Sequence, residues 1–266
     1  MESGNKISFS VPMAIVIAGL MIAGAVYFSN KPTTQVANVS DSQNQTFQSA
    51  DFTLAPISEN DYIRGNSNAK VVMIEYSDTE CPYCKQYHLV AKNLIEKLGK
   101  DSTFAWVYRN FPISERHPKA SREAEALLCA GKIGGQTGFW NYTDQIYSVT
   151  PANDGLDPLQ LPIIAKNIGL DVAAFNTCLN SGEMTARVKA EHDEAVQNGA
   201  GGTPFSVLIT NKKYNKEKVE KFLTESIVKY KFPAEFFVLS NDNTKVGVSG
   251  SMPEQFMIEL ISVLSQ

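Results

Sequence analysis

The residues with the clearest chemical signature are two cysteines in the tetrapeptide Cys81-Pro82-Tyr83-Cys84. Proline is favoured at the first position of a helix, so the sequence predicts a helix that begins at Pro82 with Cys81 as its N-cap. The unpaired N–H groups and the helix dipole would then stabilise a thiolate at Cys81. Cys84, one turn into the helix, would attack a mixed disulfide formed at Cys81. The spacing therefore predicts a redox-active pair.

Half of a zinc site is the alternative interpretation of this spacing. A structural zinc ion takes four ligands, and neither Cys129, Cys178 nor the three histidines supply a second pair at metal-binding spacing. We therefore predict no metal ion and no other cofactor. His88 is expected on the solvent-facing side of the active-site helix.

Hydrophobic periodicity and turn residues predict the elements that would position the cysteine pair. In chain order they are a strand at 71–76, a helix at 82–98, a strand at 103–109, a helical region at 117–197, strands at 205–209 and 245–249, and a helix from 253. A β-α-β unit and a later β-β-α unit, separated by helices, indicate the α/β class.

A second motif, Gly201-Gly202-Thr203-Pro204, precedes the strand at 205–209. Proline at the first position of a strand is tolerated structurally, so Pro204 alone indicates little. In a chain that also contains a Cys-Pro-Tyr-Cys motif, it supports the redox interpretation.

Several motifs, taken in order, resemble one protein family. They are GNSNAKVVMIEYSDTECPYC ending at Cys84, YRNFP from Tyr108, LLCAG from Leu127, GFWNY from Gly138, FNTCL from Phe175 and GGTPF from Gly201. Together they resemble the membrane-anchored DsbA-like thiol-disulfide oxidoreductases of bacteria, over about residues 60 to 210 and again near the C-terminus. The resemblance implies a thioredoxin fold with an inserted helical subdomain at about 117–198.

The resemblance also implies a substrate-docking element. In this family the residue aligned with Pro204 forms a cis peptide bond with its predecessor and faces the active-site sulfurs, where the backbone pairs with an extended substrate chain. Thr203 and Pro204, together with Pro82 and Tyr83 between the cysteines, are therefore expected to contact the substrate.

Glu75, on the strand that leads to the cysteine pair, is the expected proton acceptor. The resemblance places a buried carboxylate beneath the cysteines, where it would accept the proton that Cys84 loses before it attacks. The alternative is that Glu75 faces solvent, because Ile74 and Tyr76 would then share the inward face of an alternating strand.

The N-terminal region predicts a membrane-directed segment. No charged residue occurs from Ile7 to Asn30, and the apolar core at 11–28 is long enough to cross a bilayer. We predict a short tail and a retained transmembrane signal-anchor within residues 1–30, with cleavage near Ala23-Gly24-Ala25 as the alternative. Either outcome exports the rest of the chain, which predicts an extracytoplasmic domain in the periplasm or at the cell surface.

Two further segments flank or interrupt the domain predicted at 59–266. The tract that begins the segment 31–58 is rich in Ser, Thr, Asn and Gln, which predicts a flexible polar linker. Residues 211–243 depart from the family pattern and include a charged, helix-like stretch at 216–231. We predict a surface decoration there, with a partner-docking face as the alternative.

Cys129 and Cys178 both fall within the predicted helical insertion. In an oxidising compartment two remaining cysteines most often pair, so we predict a structural disulfide between them. The alternative is a regulatory disulfide that exchanges with Cys81 and Cys84.

Composition and motifs together define the functional hypotheses. A formal charge of −4 without a basic stripe argues against nucleic-acid binding. The leading hypothesis is an oxidase that introduces disulfides into exported proteins with free cysteines and is reoxidised by a quinone-linked membrane partner. The alternatives are a reductase or isomerase served by a membrane thiol reductase, and a non-catalytic thioredoxin-like binding module.

Overall fold

The computed structural model describes residues 47–266, which form one mixed sheet covered by helices. The strands are β1 (Gln48–Ala50), β2 (Tyr62–Arg64), β3 (Val71–Ser77), β4 (Phe104–Asn110), β5 (Phe205–Thr210), β6 (Phe237–Ser240) and β7 (Lys245–Ser249). The helices are α1 (Pro82–Leu98), α2 (Ala120–Val149), α3 (Gln160–Asn167), α4 (Val172–Ser181), α5 (Thr185–Gln197), α6 (Lys216–Tyr230) and α7 (Glu254–Leu264). The transmembrane segment predicted at 1–30 and the linker residues 31–46 lie outside the described residues.

The sheet has the strand order β1-β6-β7-β5-β3-β4-β2. β3 and β4 are parallel and are joined by α1, whereas β5 runs antiparallel to both β3 and β7. The four helices α2 to α5 lie between β4 and β5 in the chain. These features confirm the predicted α/β class with an inserted helical subdomain.

The two central strands β3 and β4 are buried on both faces of the sheet. Val71 and Met73 belong to an apolar cluster that includes residues of α1, α2 and α7, whereas Ile74 and Tyr76 belong to a second cluster on the opposite face. Glu75 alternates with Ile74 and Tyr76, so it shares the face of Met73. Its side chain is fully buried, which excludes the solvent-facing alternative.

The predicted linker at 31–58 is wrong for its described part. β1 pairs in parallel with β6 over three residues. The side-chain amide of Asn198 accepts a hydrogen bond from the N–H of Thr53 at 2.7 Å and donates one to the carbonyl of Thr53 at 2.9 Å. Arg109 donates to the carbonyl of Ala55 at 3.2 Å. The segment is held in place because groups of the folded domain form hydrogen bonds with its backbone. Amino-acid composition alone cannot reveal such partners.

The surface decoration predicted at 211–243 is also wrong, because this segment completes the sheet and the core. β6 pairs antiparallel with β7, and α6 buries Val219 and Leu223. The rings of Phe222 and Phe256 stack with centroids 5.6 Å apart, which joins α6 to α7. The insertion therefore carries an integral strand and an integral helix of the domain.

α2 contains 30 residues and is interrupted by Gly135, whose φ of 59° and ψ of −152° are not helical. Glycine reaches such a conformation without the steric cost that a Cβ imposes. The part of α2 before this kink carries Cys129, and the part after it carries Tyr147, which reaches the redox centre described below. Within residues 47–266, no helix is both long enough and apolar enough to span a bilayer.

The structure joins the sulfurs of Cys129 in α2 and Cys178 in α4 at 1.99 Å, which is the pairing that the sequence predicts. The bridge closes a loop across a sequence separation of 49 residues. Both cysteines belong to the main apolar cluster, so the bridge ties the two helices together inside the insertion.

We expect the double variant Cys129→Ser/Cys178→Ser to lose about 4 kcal/mol of unfolding free energy, because a loop of this length no longer constrains the unfolded chain. Urea unfolding of the oxidised wild type and of the double variant measures the difference. A double variant that is equally stable but exchanges disulfides poorly would instead identify this bridge as the regulatory disulfide.

Candidate active site

The cysteine pair lies at the start of α1, directly after the central strand β3. Cys81 is the N-cap, with extended backbone angles of φ −77° and ψ 122°, and Pro82 occupies the first helical turn. Cys81 is 6% exposed, whereas Cys84 is completely buried. Both are free thiols. Cys81 is therefore slightly exposed and Cys84 is not, which is the order of exposure that the sequence predicts.

The turn between β3 and α1 is held by Asp78, which the sequence analysis did not single out. Its carboxylate accepts hydrogen bonds from the backbone N–H of Glu80 and of Ile113, each at 2.8 Å, and bonds to Nδ1 of His117 at 2.9 Å. Its carbonyl accepts from the N–H of Cys81 at 3.1 Å. These bonds fix the position from which the Cys81 side chain projects.

The pKa values of the two thiols are shifted in opposite directions. The hydrogen bond from Cys84, together with weaker contributions from Thr203 and from the N–H groups of Tyr83 and Cys84, lowers the pKa of Cys81 to about 6, although burial opposes this shift. Burial and the neighbouring Cys81 thiolate raise the pKa of Cys84 well above its usual value. At neutral pH one sulfur is therefore an anion and the other a thiol.

The loop before β5 lies against the first sulfur, as the resemblance implies. The Thr203–Pro204 peptide bond is cis, and the sulfur of Cys81 lies 3.4 Å from the carbonyl oxygen of Thr203. Pro204 has no N–H, and its carbonyl already accepts a hydrogen bond from Gly250 at 2.8 Å. The carbonyl of Thr203 thus lies beside the reactive sulfur, whereas that of Pro204 is paired with Gly250.

A groove of about 670 Å³ opens beside Cys81. Its lining includes three of the four residues expected to contact substrate, namely Pro82, Tyr83 and Thr203. Pro204 does not line it. The Tyr83 side chain is 62% exposed. The other lining residues, which were not predicted to contact substrate, are Cys81, Ile113, Glu115, Arg116, His117, Asn153, Gly201 and Gly202.

Glu75 lies beneath the pair and is fully buried. The hydroxyl of Ser77 donates to its Oε1 at 2.7 Å, whereas Oε2 has no hydrogen-bond partner among the described residues. Burial raises the pKa of Glu75 to about 7, against the opposing hydrogen bond from Ser77. A carboxyl group that is half ionised near neutral pH can both accept and return a proton.

Glu80, immediately before Cys81, anchors the loop that follows α2. Its carboxylate accepts from the Thr150 hydroxyl at 3.0 Å and from the N–H groups of Gly155 and Leu156 at 2.9 and 3.0 Å. Its carbonyl accepts from the N–H of Asn153 at 2.7 Å. Residues 152 to 154 all have positive φ, a conformation that non-glycine residues adopt at a cost of about 1 to 3 kcal/mol each. These bonds keep the loop, and with it Asn153, in the groove wall.

A second buried carboxyl group, Glu123, lies behind Glu80. The Thr79 hydroxyl donates to its Oε2 at 2.6 Å. Burial raises the pKa of Glu123 to about 8, opposed by this hydrogen bond and reinforced by the charge of Glu80. Glu123 is therefore largely neutral at pH 7, which limits the negative charge beside Glu80 and Asp78.

His88 is not on the solvent-facing side of α1, contrary to expectation. It is 2% exposed, and its Nε2 bonds to Asp144 at 2.8 Å. Its ring lies against those of Trp106 and Tyr147, with centroids 5.3 and 4.6 Å away. The helical insertion covers this side of α1. The hydrophobic pattern of α1 alone cannot reveal that burial.

In the part of the chain that the structure describes, no three His, Cys, Asp or Glu side chains are arranged to hold a metal ion. The arrangement is suited to nucleophilic exchange at sulfur, in which Cys81 would be the nucleophile, Cys84 the resolving thiol and Glu75 a buried proton acceptor.

Three solved structures have a similar fold. DsbA2 of Pseudomonas aeruginosa is 22% identical, with a TM-score of 0.56 over 79% of this chain and 96% of that one. The α-DsbA1 protein of Wolbachia pipientis is 20% identical, with a TM-score of 0.59 over 80% and 94%. Oxidised BdbD of Bacillus subtilis is 16% identical, with a TM-score of 0.54 over 70% and 98%. At these identities the likeness shows a shared fold.

Curated relatives match over a shorter segment. The Na⁺/H⁺ antiporter NhaA 3 of Salinispora tropica is 32% identical over 147 residues, and NhaA 1 of Salinispora arenicola is 33% identical over 148 residues. Each match covers 55% of this chain and 21% of the antiporter. The chain therefore spans about a fifth of the length of the curated relatives it matches.

The family assignment comes from a sequence profile described as Thioredoxin, which matches residues 58–228. The matched region includes the cysteine pair, the helical insertion and the loop that ends in the cis bond before Pro204. On this evidence, and with a sheet and insertion shared with DsbA structures, the chain belongs to the thioredoxin family.

Proposed function

We propose that this protein is a thiol-disulfide oxidoreductase that introduces disulfides into exported proteins through Cys81 and Cys84. The observation that carries the proposal is the asymmetry of the two sulfurs. Cys81 is partly accessible at the N-terminus of α1 with a pKa lowered to about 6, and Cys84 is buried with a raised pKa. Such a pair has one good nucleophile and one protected resolving thiol.

The proposed reaction transfers two electrons from substrate to enzyme. A substrate thiolate attacks the sulfur of Cys81 in the enzyme disulfide, the bond to Cys84 breaks, and Cys84 leaves as a thiolate that takes a proton. The second substrate thiolate then attacks the substrate sulfur of the mixed disulfide, and Cys81 leaves as a thiolate. The products are an oxidised substrate and a dithiol enzyme, which a second oxidant must reoxidise.

The location and the recycling partner follow from the chemistry and from the N-terminal sequence. Disulfides persist in extracytoplasmic compartments, and the uncharged segment from Ile7 to Asn30 supports a membrane-anchored domain exposed there. A quinone-linked oxidase in the same membrane would be the recycling partner. The similarity to antiporters does not extend this proposal to ion transport, because it covers a fifth of their length.

The direction of electron flow is tested by the reduction potential of the Cys81–Cys84 couple. A Cys81 thiolate stabilises the dithiol form, which makes the disulfide more oxidising, and we expect a potential closer to about −120 mV than to about −270 mV. Equilibration in glutathione buffers followed by alkylation and mass spectrometry measures it. A value near −270 mV would contradict the oxidase and support a reductase.

The assignment of the two cysteines is tested by matched single variants. We expect Cys84→Ser, mixed with a disulfide-linked peptide dimer, to accumulate a mixed disulfide: the Cys81 thiolate attacks the peptide disulfide, one peptide leaves as a thiolate, and no resolving thiol remains. Cys81→Ser should form none. Non-reducing electrophoresis and mass spectrometry distinguish the two results. If Cys81→Ser retained full activity toward unfolded chains, the protein would be a non-catalytic binding module.

The acidity of Cys81 predicts a pH dependence. The rate of alkylation of the dithiol enzyme by iodoacetamide should rise with pH and reach half its maximum near pH 6, because only the thiolate reacts. In Cys84→Ala the midpoint should move up toward about 8.5, the value of an ordinary cysteine, since the main stabilising hydrogen bond is removed. A wild-type midpoint near 8.5 would refute the assignment of Cys81 as the activated thiol.

A further inference from the structure

We infer that Ser77 and Tyr147 are positioning residues for Glu75: their hydroxyl groups form a chain that orients its carboxyl group and connects it to the backbone that holds Cys84. This inference rests on the proposed thiol-disulfide exchange and assigns the residues that control its proton transfer. Tyr147 belongs to α2, so the helical insertion would take part directly in the chemistry of the redox centre.

The chain of hydroxyl groups is continuous. Ser77 Oγ lies 2.7 Å from Oε1 of Glu75 and 3.0 Å from the hydroxyl of Tyr147. The Tyr147 hydroxyl lies 2.9 Å from that of Tyr108 and 3.4 Å from the carbonyl of Asp78. Each distance allows a hydrogen bond, so two hydroxyl groups, those of Ser77 and Tyr147, link a carboxyl group to a backbone carbonyl, and the Tyr108 hydroxyl bonds to the second of them.

The same peptide segment reaches the resolving cysteine. The N–H of Asp78 donates to Sγ of Cys84 at 3.4 Å, while the carbonyl of Asp78 accepts from Tyr147. The proton donor and the proton acceptor of the resolving step are therefore held by one network. Cys84 is fully buried, and Ser77 and Tyr147 are 1% and 3% exposed, so bulk water does not substitute for these groups.

A chain of hydroxyl groups suits a carboxyl group that changes its protonation state. With Glu75 ionised, Ser77 donates to the carboxylate and Tyr147 donates to Ser77. With Glu75 protonated, the carboxylic acid can donate to Ser77, Ser77 to Tyr147, and Tyr147 to the carbonyl of Asp78. Serine and tyrosine hydroxyls both donate and accept, so reversal of the chain satisfies either state without moving heavy atoms.

The groups around Glu75 offer no counter-charge that would make this chain redundant. The titratable groups that interact with it are Cys81, Cys84 and Tyr87 from α1, Tyr108 from β4 and Tyr147 from α2. All are neutral or anionic when they titrate. Burial raises the pKa of Glu75. Among the described residues, Ser77 is the one whose hydrogen bond opposes this shift most strongly.

The step in question is the resolution of a mixed disulfide at Cys81. The Cys84 thiol gives its proton to the Glu75 carboxylate, the Cys84 sulfur bonds to Cys81, and the partner leaves as a thiolate. The rate can be followed from pH 5.5 to 9 by mixing dithiol enzyme with oxidised glutathione, quenching with acid, and quantifying the glutathione adduct by mass spectrometry.

Ser77→Ala removes the hydrogen bond to the carboxylate and so raises the pKa of Glu75. Resolution should therefore slow about tenfold at pH 6, where less of Glu75 is then ionised, and less than about twofold at pH 9, where Glu75 is still mostly carboxylate. Tyr147→Phe should shift the profile in the same direction by a smaller factor, about threefold at pH 6. Tyr142→Phe is the matched control: it is a buried tyrosine of the same helix, its hydroxyl donates to the carbonyl of Leu161, and its profile should follow the wild type.

A second measurement does not depend on turnover. In protein labelled with ¹³C at glutamate carboxyl groups, the Glu75 signal, assigned with Glu75→Gln, should titrate at higher pH in Ser77→Ala and Tyr147→Phe than in the wild type. Unchanged titration and unchanged rate profiles in both variants would overturn the inference. If Ser77→Ala does not fold, Tyr147→Phe decides, since it removes one oxygen and retains the ring.

The two proposals fail in different ways. A wild-type protein that forms no glutathione adduct, or a Cys84→Ser variant that traps none, would refute thiol-disulfide exchange. The carbon titration would still show whether the hydroxyl chain controls Glu75. Normal exchange with variant profiles that overlay the wild type would refute the chain alone.

Discussion

The position of the reactive sulfur depends on the Asp78 side chain. The carboxylate of Asp78 is completely enclosed and is bonded by two backbone N–H groups and His117. Its own backbone binds the N–H of Cys81 and the sulfur of Cys84. A buried carboxylate without such partners would be costly, so these bonds stabilise the observed turn between β3 and α1. The thiols, the groove and Glu75 are all placed relative to this turn.

Local patterns in the sequence were sufficient for the catalytic turn and the central elements. Proline at the first helical position and an apolar strand before it predict the Cys81 N-cap and the exact span of α1 at 82–98, and the structure has both. The strands predicted at 71–76, from a continuous apolar run, and at 245–249 correspond to β3 at 71–77 and β7 at 245–249. These features are local because the interactions that define them lie within a few residues.

The parts that sequence reasoning missed depend on contacts between distant segments. Ser77 meets Tyr147 across 70 residues, and Arg109 meets Ala55 across 54. No local spacing indicates either contact. β6 has only four residues and gains its stability by pairing with β7 and β1, so its weak pattern resembles that of a loop. His88 is buried because the insertion folds over α1, which a helical wheel of α1 alone cannot predict.

The electrostatic coupling between Cys81 and Glu75 determines at which steps of the proposed cycle Glu75 accepts and releases a proton. Charge on Cys81 raises the pKa of Glu75, because two anions beneath one another repel. When Cys81 is bonded to a partner sulfur, it carries no charge and this contribution disappears. The pKa of Glu75 then falls, and more of it is carboxylate, at the moment when Cys84 must lose its proton. After resolution, the same carboxyl group holds that proton for the next Cys84 thiolate that leaves. Proton acceptance is thus favoured when a mixed disulfide is present and disfavoured when the free Cys81 thiolate occupies the site.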